Sequence, residues 1–220
     1  MKTYYYNGAQ ILAPFTITSN EPMFDMTTVS LKTQRASQGH QRWELSFEVI
    51  AENSNQADLF VSSFKDVETS NSMIMPQITT ATSQTTTVPI YSSAVVGINQ
   101  NVLTLPVGPG NAAAGDSSVT VQKGTSQITG LMPKGTFIKF SSHDKVYITT
   151  ADVVFNNIDN KTISIYPKLK AAVNNSQGHT MKLRDLVTFV YYRNIDNQRG
   201  ITFSDGVLSN IGSVNLIEVM

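Results

Sequence analysis

The side chains that most often carry chemistry are few in this sequence. It holds three histidines, His40, His143 and His179, and none lies in an HxH or HExxH spacing that would form a zinc site. His143 is followed directly by Asp144, a combination that metal sites and phosphohydrolases use. This pair falls in a predicted hairpin turn with no second His–Asp cluster nearby. We therefore predict that His143 and Asp144 shape the turn.

The other candidate groups are scattered along the chain. Asp152, Asp159 and Asp185 lack the dense alternation of a calcium-binding loop. The sequence contains no GxSxG motif, no cysteine, and no GKS or GKT after the Gly-Pro-Gly of residues 108–110. Two carboxylates for glycoside hydrolysis can come from distant positions, but nothing selects a pair. We predict a protein that is not an enzyme, with no catalytic, cofactor-binding or metal-binding residues.

Composition and charge disfavour several classes of partner. The 220 residues carry 16 basic and 16 acidic side chains, so nothing indicates binding to nucleic-acid phosphates or an anionic membrane. No apolar run approaches the roughly 18–20 residues of a membrane span, and the N-terminus lacks the apolar core of a secretory signal. We expect a protein made in the cytosol that stays soluble without membrane insertion. Its near-zero net charge favours an obligate assembly.

One stretch organises the rest of the sequence. Residues 41–50, QRWELSFEVI, alternate apolar and polar side chains, so Trp43, Leu45, Phe47 and Val49 share one face of a predicted strand. Because the single tryptophan shares its face with three other apolar residues, we expect it in a core. Stacking on a sugar or a base is the alternative for this ring.

The elements around this strand follow from shorter patterns. Residues 4–6 are three tyrosines before an Asn-Gly turn, and an interface role is favoured for them if the protein is oligomeric. A second strand is predicted over residues 11–18, and residues 27–33 are predicted to form a hairpin with the organising strand. A helix over residues 56–67, capped by Ser54 or Asn55, should place Phe60 and Phe64 in the core, across the Trp43 face.

The middle of the chain reads as a second β unit. Residues 79–87 have the composition of a linker or edge, and residues 106–118 that of a mobile loop. Short strands are predicted over 119–122, 136–140, 145–150 and 162–166, with hairpin connections at 141–144 and 156–160. Strands at 186–192 and 214–219 should return to the first sheet. The predicted fold is mainly β: a β-sandwich-like domain with one short helix (1–87 plus 185–220), interrupted by an inserted small β-barrel domain (88–184).

Five motifs occur in an order that identifies a family resemblance. They are QRWE at residues 41–44, G-x-F-I-x-F at 135–140, K-V-Y at 145–147, T-x-x-I-x-P-x-L at 162–169 and LIEV at 216–219. Each motif alone is weak, and their order is the specific feature. In this order the chain resembles distal tail (Dit-like) and baseplate hub proteins of tailed bacteriophages.

The resemblance implies a structural protein of the virion tail, assembled in the host cytoplasm. It implies a ring, six-fold in symmetry, that connects the tail tube to the tail tip or baseplate and docks other tail proteins. We expect inter-subunit contacts through the first domain, with no nucleic-acid contact required. Two alternatives remain at this stage: a carbohydrate-binding module that uses exposed tyrosines at residues 4–6 or 191–192, and a polysaccharide-cleaving or peptidoglycan-cleaving enzyme.

Overall fold

The computed structural model of the protein describes residues 4–27, 33–37, 39–50, 55–76, 79–83, 86–89, 104–108, 110–122, 130–156, 158–183, 186–194 and 202–220. Over these residues the chain is mainly β, as predicted. Two compact units make up the chain, Met1–Met73 with Val190–Met220 and Ile74–Phe189. The boundaries thus lie at 73/74 and 189/190, against 87/88 and 184/185 in the domain prediction.

The elements follow in chain order. The first part contains β1 (Tyr5–Tyr6), β2 (Ala9–Asn20), β3 (Met23–Thr27), β4 (Thr33–Ser37), β5 (Arg42–Val49), α1 (Gln56–Glu68) and β6 (Asn71–Ile74). The middle contains β7 (Thr79–Ser83), β8 (Thr86–Pro89), β9 (Thr104–Pro106), β10 (Asn111–Ala112), β11 (Ser118–Val121), β12 (Gly130–Met132), β13 (Phe137–Phe140), β14 (Val146–Thr149), β15 (Val153–Phe155), β16 (Lys161–Tyr166), β17 (Val173–Asn174), a 3-10 turn (Asn175–Gln177) and β18 (Thr180–Lys182). The last part contains β19 (Thr188–Arg193), β20 (Thr202–Ser204), β21 (Val207–Asn210) and β22 (Val214–Glu218).

A six-stranded sheet in the order β1-β2-β5-β22-β19-β6 forms the first unit's framework. The organising strand is β5, which pairs antiparallel with β2 on one side and β22 on the other. Its burial alternates as predicted from Trp43 to Phe47, with Trp43, Leu45 and Phe47 buried and the residues between them half-buried. Val49, the fourth residue of the predicted apolar face, is only half-buried. The predicted return of the closing strands to this sheet is also confirmed, because β19 and β22 are paired within it.

The N-terminal strands confirm the predicted turn and strand. Asn7 and Gly8 both have positive φ, at 46° and 81°, and connect β1 to β2. The register between β2 and β5 shifts between Leu12 and Thr16. Pro14 lies inside this interval, where its missing N–H removes a ladder hydrogen bond.

The predicted hairpin between residues 27–33 and the organising strand is wrong. β4 pairs with β3 in a separate two-stranded sheet, in which Met23 lies opposite Ser37 and Phe24 lies opposite Ala36. Most of β4 lies between residue 33 and β5, where the predicted hairpin requires a turn, and residues 28–32 lie outside the described residues. The partner was misassigned because both edges of β5 are already taken by β2 and β22.

Helix α1 forms where predicted but buries a different face. Its buried residues are Leu59, Ser62, Ser63 and Asp66, whereas Phe60 and Phe64 are 40% and 60% exposed. The prediction of Phe60 and Phe64 as core residues is therefore wrong. The predicted stripe through Phe60 and Phe64 and the buried stripe through Leu59 and Ser63 both have helical spacing and differ by one residue. The buried stripe includes the Asp66 carboxylate, which has hydrogen-bond partners in the sheet. At the N-cap, Asn55 donates its side-chain amide to the carbonyl of Gly8 at 3.2 Å.

A buried polar group attaches this helix to the sheet. The Asp66 carboxylate accepts hydrogen bonds from the Tyr6 hydroxyl at 2.6 Å, from Asn7 Nδ2 at 3.0 Å and from Asn71 Nδ2 at 3.2 Å. The Tyr6 ring packs edge-on against Phe47, with 5.6 Å between centroids. Phe47 shares a strand face with Trp43, so α1 is anchored on the predicted side of the sheet. Tyr6 is fully buried, so the interface role predicted for it is wrong.

The second unit is built on a nearly closed, barrel-like sheet in the order β11-β16-β14-β13-β18-β9. The strands predicted at 119–122, 136–140, 145–150 and 162–166 are confirmed as β11, β13, β14 and β16. The hairpin predicted at 141–144 joins β13 to β14. The hairpin predicted at 156–160 is wrong, because the strands on either side of it, β15 and β16, belong to different sheets and β15 pairs with β12. Residues 79–87, predicted as a linker or edge, contribute to a two-stranded sheet of β7 and β8.

The two ends of the barrel-like sheet meet at Gly108. Val107, just after β9, forms a β-bridge with Val121 of β11, and the Gly108 N–H donates to the Thr120 carbonyl at 2.9 Å. A β-carbon on Gly108 would lie only 3.0 Å from the Val121 carbonyl carbon, so a glycine fits this seam. The mobile loop predicted over residues 106–118 is therefore wrong. The segment also contains β10, and the Gly115 N–H donates to the Leu169 carbonyl at 2.7 Å.

Trp43 and Phe64 provide a test of which apolar residues form the first unit's core. We expect Trp43→Ala to lower the free energy of unfolding by about 3–5 kcal/mol, because the buried ring leaves a cavity. Phe64→Ala should cost less than about 1 kcal/mol, since that ring is mostly exposed. Urea unfolding of both variants measures the difference. Equal losses would contradict the observed orientation of α1.

Stability at alkaline pH tests the contact between Tyr6 and Asp66. Burial, followed by the hydrogen bond to Asp66, raises the pKa of Tyr6 well above its usual value of 10.0. Above about pH 10 the unfolded chain releases this proton while the folded chain retains it, so the free energy of unfolding should fall as pH rises. Below pH 10 the contribution is fully present. In urea unfolding between pH 8 and 11, Tyr6→Phe should flatten this fall, whereas Tyr5→Phe, at an exposed ring, should not. A Tyr6→Phe slope equal to that of the wild type would contradict the assignment.

Candidate functional site

The structure describes most of the side chains nominated for chemistry. Over the described part of the chain, no group of three or more His, Asp or Glu side chains is placed to hold a metal ion. His40 is exposed, and His179 accepts a hydrogen bond at Nδ1 from the Asn174 N–H at 3.0 Å. The Asp152 carboxylate accepts from the Lys134 N–H at 2.7 Å. Asp185 lies outside the described residues.

His143 has the predicted role in the turn between β13 and β14. Its Nδ1 lies 2.7 Å from Ser142 Oγ and its Nε2 lies 2.6 Å from the Tyr147 hydroxyl, which also accepts from the Lys170 N–H at 2.9 Å. Burial, and next the positive charge of Lys170, lower the pKa of His143 from 6.5 to about 4. The imidazole is therefore neutral at physiological pH and joins the turn to the loop after β16.

The other half of the His143–Asp144 pair has a separate partner. Asp144 binds the Lys139 ammonium at 2.8 Å, and Lys139 also donates to Thr188 Oγ1 at 3.0 Å. The hydrogen bond from Lys139 is the main cause that lowers the pKa of Asp144. Lys139 is buried within β13, where all four residues are buried, so its charge requires these oxygens. The sequence analysis did not single out Lys139, because a lysine in a short strand is usually exposed.

A cleft of about 400 Å³ runs along α1 in the first unit. Its lining includes Asn7, Asp58, Lys65, Asp66 and Asn71. The buried carboxylate in this cleft, Asp66, already accepts three internal hydrogen bonds.

Exposed apolar side chains of the first unit form two surfaces. The first, the helix patch, comprises Phe60, Val61 and Phe64 of α1 with Phe203 and Val207 of β20 and β21. Phe60 contacts Phe64 and Phe203 edge-on, with centroids 5.2 and 6.0 Å apart. The second, the hairpin patch, comprises Met23, Phe24 and Met26 of β3, a strand whose five side chains are all exposed. Sequence reasoning missed both surfaces.

Two of the five tyrosines proposed as sugar-stacking platforms are buried. Tyr6 and Tyr191 are buried and their rings contact each other, with 6.2 Å between centroids. Tyr5 and Tyr192 are exposed, and Tyr4 packs against Phe15. Trp43 is also buried, so its ring is not available for stacking on a ligand. Within the described residues, no helix is long and apolar enough to cross a membrane.

Acid titration tests the role of His143 in the turn. The folded chain resists protonation of this imidazole down to about pH 4, whereas the unfolded chain takes up the proton near pH 6.5. Its contribution to stability is therefore present above pH 6.5 and is lost as pH falls towards 4. We expect His143→Gln to flatten this part of the unfolding free energy curve, with His40→Gln as the control. A variant that keeps the wild-type acid dependence would contradict the assignment.

Part of the chain matches a known protein family. Residues 93–182 match a family model described as the B domain of distal tail protein pb9. A comparison with curated proteins gives no match. The matched residues lie within the unit Ile74–Phe189 and include three of the five motifs of the predicted resemblance. The distal tail family is one of structural phage tail proteins. Residues 93–182 are therefore similar to the B domain of distal tail protein pb9, and this match confirms the predicted resemblance of the chain to the phage distal tail family.

Proposed function

We propose that this chain is a structural, non-enzymatic protein of the bacteriophage tail that assembles into a ring of six copies. The ring connects the tail tube to the tail tip or baseplate and docks other tail proteins. The observation that carries this proposal is the distal tail B-domain match over residues 93–182. Assembly takes place in the host cytoplasm and requires neither nucleic acid nor membrane insertion.

The organisation of the chain supports separate roles for the two units. The unit formed by both ends of the chain carries the helix patch and the hairpin patch, so it is assigned to ring formation. The inserted unit is assigned to docking. The chain enters and leaves it at neighbouring points, because the Met75 N–H donates to the Val187 carbonyl at 2.8 Å. Such an insertion can carry a second surface without interrupting the first sheet.

The mass of the protein in solution tests ring formation. Light scattering over a concentration series should give a species of six times the chain mass, and negative-stain images should show closed rings. A variant in which a short glycine-serine linker replaces residues 77–185 should form rings of the same copy number, because the ring contacts lie in the first unit.

Two outcomes would contradict the proposal. A full-length protein that stays monomeric both alone and with purified tail tubes would exclude ring formation with or without a template. A truncated chain that is folded by circular dichroism but monomeric, beside a full-length chain that forms rings, would reassign ring formation to the inserted unit.

A further inference from the structure

The helix patch and the hairpin patch together provide most of the apolar surface of a standard protein contact. Their exposed fractions correspond to roughly 500 Å² for the helix patch and roughly 250 Å² for Phe24 and Met26, the two hairpin-patch residues on one strand face, taking about 200 Å² for a whole aromatic side chain. A standard protein interface buries about 1,600 Å² over both partners, of which about 56–65% is apolar. The two patches, buried against each other, would supply roughly 750 Å², the larger part of the about 900–1,000 Å² that this share amounts to.

The helix patch and the hairpin patch are different surfaces, and a ring of more than two copies requires two different surfaces on each copy. A closed ring of more than two copies uses two different surfaces on each copy, which meet head to tail. The first unit has two such surfaces on different elements, one on β3 and the other on α1, β20 and β21. Two copies of a single patch facing each other would close a dimer instead.

The local structure of each patch suits the contact. In the described part of the chain β3 pairs only with β4, and Phe24 lies opposite Ala36, whose small side chain leaves the larger ring uncovered. Phe24 and Met26 point to the same face of the strand, and methionine adapts to irregular apolar surfaces. On the other side, the edge-on rings of Phe60, Phe64 and Phe203 form a continuous aromatic surface.

We propose that the hairpin patch of one copy packs onto the helix patch of the next copy. This contact rests on the proposed ring and assigns its subunit interface to named residues. Phe24 and Met26 contact the Phe60–Phe64–Phe203 surface of the neighbour. Repetition of the same contact from copy to copy then closes the ring.

Cross-linking between two variants tests this pairing directly, because the natural sequence contains no cysteine. Phe24→Cys and Phe64→Cys, one of them carrying an affinity tag, are mixed and treated with a short bismaleimide. The mixed product should exceed either homodimer several-fold. Ile158→Cys, at a 73% exposed site of the second unit, is the matched control and should give only background with either partner. Mixed product at the level of the control would overturn the proposal, as would homodimers in excess of it.

Charged variants separate this contact from the ring itself. Phe24→Asp and Phe64→Asp should each prevent ring formation, whereas their mixture should yield dimers, since one intact hairpin patch and one intact helix patch remain. Rings that persist in both variants would overturn the contact and leave the proposed function standing. A mixed cross-link without rings, alone or on tail tubes, would support the contact and refute the six-fold closure.

Discussion

The pairing of β22 inside the first sheet is the constraint on which the rest of the structure depends. This strand lies near the end of the chain, yet it pairs with β5 on one side and β19 on the other. Its residues Val214 and Leu216 are buried, and the Glu218 carboxylate accepts a hydrogen bond from the backbone N–H of Trp43 at 3.0 Å. The strand that holds Trp43 therefore gains its second neighbour only after the chain has passed through the inserted unit. The first unit folds from both ends of the sequence, and the insertion must return close to where it left.

Local patterns in the sequence were sufficient where one physical effect dominates. The alternation in residues 41–50 predicted β5 because an apolar face and a polar face leave only one register for the strand. The Asn-Gly turn and the strands of the second unit followed from similar signals. The prediction for β3 and β4 was wrong because a strand pairs with whichever edge is free, and the sequence does not show which edges are occupied. Residues 106–118 were misread for a related reason, since hydrogen bonds to distant residues order a segment of loop-like composition.

The orientation of α1 shows why the candidate surfaces could not be predicted. Counting apolar residues favours a buried stripe through Phe60 and Phe64, and the molecule instead buries Ser62, Ser63 and Asp66. Small residues allow close packing, and the Asp66 carboxylate finds three donors that the sequence places up to 60 residues away. The spacing of Leu59, Ser62, Ser63 and Asp66 could be read from the sequence. That this stripe is the buried one follows only from the position of Tyr6, which the sequence does not give. Because the prediction placed these two phenylalanines in the core, it could not identify the helix patch that they form on the surface.

The seam at Gly108 bears on how the second unit tolerates crowding. Any assembly that holds several copies together raises the local concentration of each unit to the millimolar range. At such concentrations an open sheet edge can take a strand from a neighbouring copy and lead to domain swapping or fibres. The bridge between Val107 and Val121 pairs the two ends of the sheet with each other, within one chain. A residue without a side chain thus lets the two ends of this sheet pair within one chain, which leaves less open edge for a strand from a neighbouring copy.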